Sequence, residues 1–263
     1  MQNIKIAKKY IKHWFTSRNS KGFGIHSPFL HHLVTEIIHD YTPFYCYDEI
    51  EFERNKLLTN NTTITVEDFG SGSRIFKSKQ RIVKDIARIS LKPKKHAQLL
   101  FRLINHFESK NILEIGTSFG ISTSYLAKVS KASNVVTLEG CSKTAEIAQT
   151  TFNNLALANI SLVIGPFEKT LSAALKKLIT IDFVFFDGNH SEQATLNYFE
   201  QCLPFINNKT LFVFDDIYLN EGMENVWKKI KKSEHVTATL DLFHMGIVIF
   251  RKELTKEHFK VHF

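Results

Sequence analysis

Residues 112–127 read ILEIGTSFGISTSYLA. With Asn111 in front, the stretch opens as a short strand that is apolar on both faces, as strands covered on both sides are. A turn containing Gly116 and Gly120 follows, and then the start of a helix. Glycines there let the backbone turn tightly and approach a ligand, and the first N–H groups of the next helix favour a carboxylate or phosphate. The spacing is G-x-x-x-G. It lacks the middle glycine of the G-x-G-x-x-G turn that cradles a pyrophosphate, which disfavours a dinucleotide.

Downstream the same unit repeats. Strands are expected at 134–139, 160–165, 181–187 and 210–216, and helices at about 120–131, 143–158, 168–178, 191–206 and 222–232. Strands alternating with helices specify a parallel sheet covered on both faces. VTATLDL (236–242) and MGIVIFR (245–251) are then joined by only Phe243 and His244 or so, a connection that permits only an antiparallel neighbour. The expected fold class is α/β, Rossmann-like and doubly wound. Its sheet is mostly parallel and seven-stranded, ends in an antiparallel hairpin, and follows an N-terminal helical extension.

The domain reading is 1–92 for that extension, a lid or dimer contact; 93–253 for the α/β domain; and 254–263 for a tail. In the extension, Ile4, Ala7, Ile11, Trp14 and Phe15 share one helical face and lysines take the other. That face can pack on the main domain, on a second subunit or on a membrane surface, and packing is the expected outcome. Ser27-Pro28 starts a helix running to about His39, residues 48–58 and 78–89 give two more, and Pro93 opens one through Phe107. GSGS at 70–73 resembles a phosphate loop, but no convincing strand precedes it and no Gly-Lys-Ser/Thr follows, so it reads as a connection near the site.

Composition narrows the function. Of 263 residues 43% are apolar and 23% charged, which is a folded chain rather than a disordered one. Three separated cysteines give neither a disulfide framework nor a zinc motif, and no apolar run reaches the roughly 18 residues of a membrane span. A cytoplasmic protein is expected. The net charge of +8 is concentrated in residues 1–21 and 77–95. That can be a solvated face or an attraction for nucleic acid, anionic lipid or an anionic substrate.

The carboxyl ends of the strands, where open α/β sheets bind ligands, carry the candidate site. Glu139-Gly140 ends the second strand, and an acid there can accept both hydroxyls of a ribose. Gly165-Pro166-Phe167 ends the third, with room for a purine; Asp187-Gly188-Asn189-His190 ends the fourth; Asp215-Asp216 ends the fifth. Helix capping by Asp187 and a plain turn at 187–190 stay open as alternatives. Phe44, Tyr45, Tyr47 and Tyr218 are candidates for a substrate wall.

On these residues the chain from about 94 to 251 resembles the class I S-adenosylmethionine-dependent methyltransferases, and within them the catechol and caffeoyl-CoA O-methyltransferase type with its small bacterial relatives. ILEIGTSFGISTSYLA is similar to their first motif, VVTLEG to their ribose motif and IGPFEKTL to their adenine segment. KKHAQLL is similar to their entry helix, with Ala97 where glycine is usual. The resemblance implies that Glu114, Gly116, Thr117, Ser118, Gly120, Ser122, Glu139, Gly140, Gly165, Pro166, Phe167 and Asp187 bind S-adenosyl-L-methionine. It also implies that Asp187, Asp215 and Asp216 hold Mg²⁺ or another divalent cation, with Asp216 standing where the family has Asn. His190 takes the place of the family's Lys as base, and Asp187 and His190 are the implied catalytic pair. The partner implied is a small-molecule acceptor; a homodimer is one of the two open readings of the front helices, the other being a lid. The rivals are an RNA or protein methyltransferase using the basic front half, which is not favoured, a cofactor-binding module without catalysis, and, weakest, NAD-dependent reduction.

Overall fold

A computed structural model describes residues 2–67 and 78–263, with side chains from residue 6 onward. GSGS at 70–73 and Lys77 lie outside the described residues.

The chain opens with α1 (Gln2–Thr16), α2 (Pro28–His32) continued by a π-helical turn (Leu33–Ile38), and α3 (Tyr47–Thr59). The Ser27 hydroxyl caps α2 by accepting the Leu30 N–H at 3.4 Å, with Pro28 in the first turn, as the Ser-Pro pair predicts. Next come β1 (Thr63–Thr65), β2 (Gln80–Ile82), α4 (Val83–Ser90) and α5 (Lys94–Phe107). The α/β alternation follows: β3 (Asn111–Ile115), α6 (Ile121–Ala127), β4 (Asn134–Glu139), α7 (Ser142–Asn154), β5 (Ile160–Ile164), α8 (Phe167–Leu178), β6 (Ile181–Phe186), α9 (Glu192–Cys202), β7 (Ile206–Asp215) and α10 (Glu221–Lys232). The chain closes with β8 (Ala238–Asp241), β9 (Met245–Ile249) and β10 (Glu257–Lys260).

Two expectations are corrected. The segment expected as a helix over 78–89 begins as β2, pairing antiparallel with β1 through Ile64↔Arg81, and turns helical only at Val83. The supposed tail supplies β10, parallel to β8 in the register Phe259↔Leu240, so the mostly parallel sheet has eight strands, in the order β10-β8-β9-β7-β6-β3-β4-β5. Phe259, Val261 and Phe263 are all buried, and this spacing of two is the strand's own signature. The antiparallel hairpin is present, with β8 and β9 in the register Asp241↔Gly246.

By contacts the chain forms two compact units, Thr42–Ile181 and Met1–Tyr41 with Asp182–Phe263. In the first, β3, β4 and β5 are parallel neighbours, with Ile115 opposite Leu138 and Glu139 opposite Ile164. Its helical core joins Tyr47, Ile50, Ala97, Phe101, Phe119 and Tyr125. Phe44 and Tyr47 pack against Phe101, at 4.8 and 5.3 Å between ring centres, so these two aromatics build the core rather than a substrate wall. In the second unit β7 pairs antiparallel with β9, and Phe186 stacks on Phe214 at 4.2 Å while Phe212 meets Phe250 edge-on at 4.7 Å.

Candidate functional site

The glycine turn between β3 and α6 is built by backbone conformation first. Gly116 (φ 107°), Ser118 (φ 50°) and Gly120 (φ 80°) all occupy the left-handed half of φ space. A side chain on Gly120 would bring its Cβ to 2.4 Å from the Phe152 ring, so packing alone requires glycine there, whatever binds nearby. The N–H groups of Gly116 and Thr117 both donate to the Leu138 carbonyl, at 3.0 and 3.1 Å, which fixes the turn against the end of β4.

Glu139 is the hub of this region. Its carboxylate accepts the Ser118 N–H at 2.8 Å through Oε2 and the Cys141 N–H at 3.0 Å through Oε1, while its carbonyl accepts the Gly165 N–H at 2.9 Å. One residue therefore ties together the turn after β3, the turn after β4 and the end of β5. Burial pushes the Glu139 carboxyl above its usual range, against the pull of the Cys141, Ser118 and Gly140 N–H groups. A carboxylate offers about four acceptor sites, so Glu139 keeps capacity for further donors. Gly140, Gly165, Pro166 and Phe167 are half-buried around it.

Glu114 lies below, fully buried, and its Oε2 accepts the hydroxyls of Thr123 and Thr137, the latter at 2.6 Å; Thr117 and Thr137 hydroxyls meet at 2.6 Å. Glu114 thus anchors α6 to the sheet from inside. Ser122, also buried, stands in the first turn of α6, and the Ser118 hydroxyl meets that of Ser90 at 2.9 Å.

In the other unit, Asp187, His190 and Asp215 each offer a ligand atom within 4.8 Å of the others. His190 Nε2 is 3.6 Å from Asp187 Oδ1. Asn189 (φ 64°), His190 (φ 33°) and Asp216 (φ 52°) are left-handed without being glycine, a strained backbone of the kind that functional sites hold. The Asn220 side chain donates to the His190 carbonyl at 3.1 Å and the Asn189 amide to the Tyr198 hydroxyl at 3.3 Å, which fixes this loop. Burial alone would lower the His190 pKa, yet Asp187 as partner, with Asp215 and Asp216 nearby, holds it above the ordinary histidine value. Asp216, a sequence candidate for the same cation, is not one of the three clustered residues. It borders a cavity of about 170 Å³ with Ile6, Tyr218, Leu219, Phe243 and His244.

Sequence reasoning missed one buried network here. His13 on α1 meets Asp241 twice, Nε2 lying 3.0 Å from its Oδ1 and 3.1 Å from its carbonyl, and the Tyr218 hydroxyl donates to Asp241 Oδ2 at 2.6 Å. Tyr218 also stacks on Phe243 at 5.1 Å. The only advance signal is Asp241, an acid inside an otherwise apolar strand, for which a buried partner is required.

Residues 113–217 match a family described as a methyltransferase domain. No curated protein matches the chain. Among solved structures, the O-methyltransferase TomG from Streptomyces achromogenes, in complex with S-adenosylmethionine, is 20% identical, covering 62% of this chain and 82% of its own, with a TM-score of 0.53. The O-methyltransferase from Bacillus cereus in complex with S-adenosylhomocysteine is 22% identical over 61% of this chain and 83% of its own, TM-score 0.51. The S-adenosylhomocysteine-bound methyltransferase PaMTH1 of Podospora anserina is 15% identical over 81% of this chain and 99% of its own, TM-score 0.55. The resemblance read from the sequence and these comparisons agree: residues 113–217 match a methyltransferase domain, and the fold is the one shared by these methyltransferases.

Proposed function

We propose that the chain is an S-adenosylmethionine-dependent O-methyltransferase acting on a small-molecule acceptor. The observation that carries this reading is the Glu139 hub, an acid at the end of β4 bonded to the backbone of the glycine turn and to Gly165. The residues fit the cofactor. Gly116, Thr117, Ser118 and Ser122 form the surface for its amino-acid end, Glu139 and Gly140 take the ribose hydroxyls, and Gly165, Pro166 and Phe167 flank the adenine. Glu114 supports that surface from below, and Gly120 lets α6 pack against Phe152.

Bound S-adenosylmethionine supplies an electrophilic methyl group, so the chain's tasks are to orient the acceptor oxygen and remove its proton. His190, beside Asp187, is the residue proposed to take that proton. The three carboxylates raise its pKa, so it becomes a competent base only at a pH above the ordinary histidine value unless their charge is offset. Asp187 and Asp215 fit a divalent cation, which would hold the acceptor hydroxyl and make it more acidic. His190 lies within reach as a third donor, an imidazole that suits Zn²⁺ better than Mg²⁺ or Ca²⁺. As ligand it could not also serve as base through the same nitrogen. Loss of turnover on chelation, restored by metal, shows that a cation is required, and weaker metal binding in His190→Asn then assigns His190 as ligand; chelator-resistant turnover abolished in His190→Asn assigns it as base.

Parallel calorimetric titrations with S-adenosylhomocysteine and NAD test the cofactor assignment. Saturable binding of the first alone is expected. Binding of NAD alone, or of neither, contradicts it.

A further inference from the structure

We infer that α1 docks the protein on an anionic lipid bilayer, with Ala7, Ile11, Trp14 and Phe15 laid against the acyl boundary and the neighbouring basic residues on the lipid headgroups. A surface helix ordinarily buries its apolar stripe against the protein. Here the reverse holds. α1 is fastened by a different face: His13 is buried on Asp241, Tyr10 meets the Phe243 ring edge-on at 5.0 Å, and Lys9 pairs with Glu224. The stripe at i, i+4, i+7 and i+8 is left outside, with Ile11 56%, Trp14 51% and Phe15 71% exposed. Trp14 and Phe15 meet each other edge-on at 5.1 Å, which makes one continuous apolar ridge. The expectation that this face packs on the protein is therefore corrected.

Charge selects the occupant. Residues 1–21 contain Lys5, Lys8, Lys9, Lys12, Arg18 and Lys21 and no acid. Lys8 and Lys12 are exposed beside the stripe, and exposed Arg18 continues it one turn further on. A second copy set ridge to ridge would bring two such basic segments together, which is repulsive. A nucleic acid would match the lysines but leave Ile11 facing water. An apolar ridge with indole and phenyl rings, bordered by bases on a helix of low overall hydrophobicity, is the pattern of helices that lie in the plane of an anionic membrane interface. The inference is independent of the methyl-transfer reading, because none of these residues belongs to that site.

The test is co-sedimentation of the full chain with large unilamellar vesicles of phosphatidylcholine alone, or of phosphatidylcholine mixed with phosphatidylglycerol. Trp14 and Trp227 are the two tryptophans and Trp227 is buried, so a blue shift of emission on adding vesicles reports Trp14. The wild type is expected to pellet with the anionic vesicles, to show the blue shift, to be released by salt, and to stay in the supernatant with phosphatidylcholine alone. Lys8→Gln/Lys12→Gln should weaken partitioning roughly 25-fold, at about fivefold per basic residue. Ile11→Ser/Trp14→Ser/Phe15→Ser, whose fold is checked by circular dichroism, should abolish it. A wild type that ignores anionic vesicles, a triple variant that binds as well as wild type, or a lipid-free dimer that the triple variant dissolves would each overturn the inference.

Discussion

The backbone N–H of Ser118 donates to the Glu139 carboxylate at 2.8 Å, joining the turn after β3 to the end of β4. The side chain expected to hold the ribose therefore also shapes the turn expected to hold the cofactor's amino-acid end. Binding and local order should fail together when it is removed.

Glu139→Ala should lower affinity for S-adenosylhomocysteine by roughly 10- to 100-fold, the scale of one or two lost hydrogen bonds to a charged group. Glu139→Gln, which keeps one acceptor oxygen, should fall between this and wild type. Calorimetric titration of the three proteins checks the ranking.

Gly120→Ala combines a φ of 80° with a Cβ placed 2.4 Å from Phe152. It should cost about 2–4 kcal/mol of stability, from left-handed strain plus overpacking. Urea unfolding measures the loss. Phe152→Leu in the same background should recover only the packing share, because the strained φ remains.

Asp241 is held below the ordinary carboxylate range: burial would raise it, but the bonds from His13 and Tyr218 prevail. A depressed folded pKa gives stability that is complete above the unfolded value and disappears as pH falls through the folded one. Stability should therefore decline on the acid side, below the ordinary Asp range, and Asp241→Asn should flatten that decline. His13→Ala, which strips Asp241 of a buried hydrogen-bond partner, should cost about 1–3 kcal/mol. Urea midpoints across a pH series test both.

Asp187→Asn and Asp215→Asn should each weaken Mn²⁺ binding by tenfold or more, since loss of an outer-shell partner alone costs roughly 10- to 100-fold. Titration of the chelator-treated protein with Mn²⁺, read by electron paramagnetic resonance of the free ion, detects this without reference to turnover. Asp216→Asn should have the smaller effect, since Asp216 is not in the cluster.

Strand positions were legible wherever apolar runs alternate with helical periodicity. β3 and β4 fall on the expected residues, and the hairpin follows from the short link at Phe243-His244. The failures have local causes. β2 is three residues long and its middle residue is a buried arginine, so charge disguised the strand as helix. β10 occupies a stretch rich in charged and histidine residues, in which Phe259, Val261 and Phe263 alone are buried. The positions of Glu139 at the end of β4 and of Asp187, His190 and Asp215 at or just after strand ends were readable; the roles given to them are proposals. The separation of Asp216 from that cluster was not readable, because its left-handed φ falls on a residue other than glycine and leaves no mark in the sequence. Nor does sequence reveal which face of a helix its neighbours accept: α1 docks through His13 and leaves its apolar side outside.

The most direct test of the methyltransferase reading is a crystal structure of the protein soaked in S-adenosylhomocysteine. The ribose hydroxyls should lie on the Glu139 carboxylate, the amino-acid end against Gly116 to Ser118, and the adenine beside Pro166 and Phe167. Density for the nucleoside elsewhere on the chain, with Glu139 bonded only to Ser118 and Cys141, would contradict it.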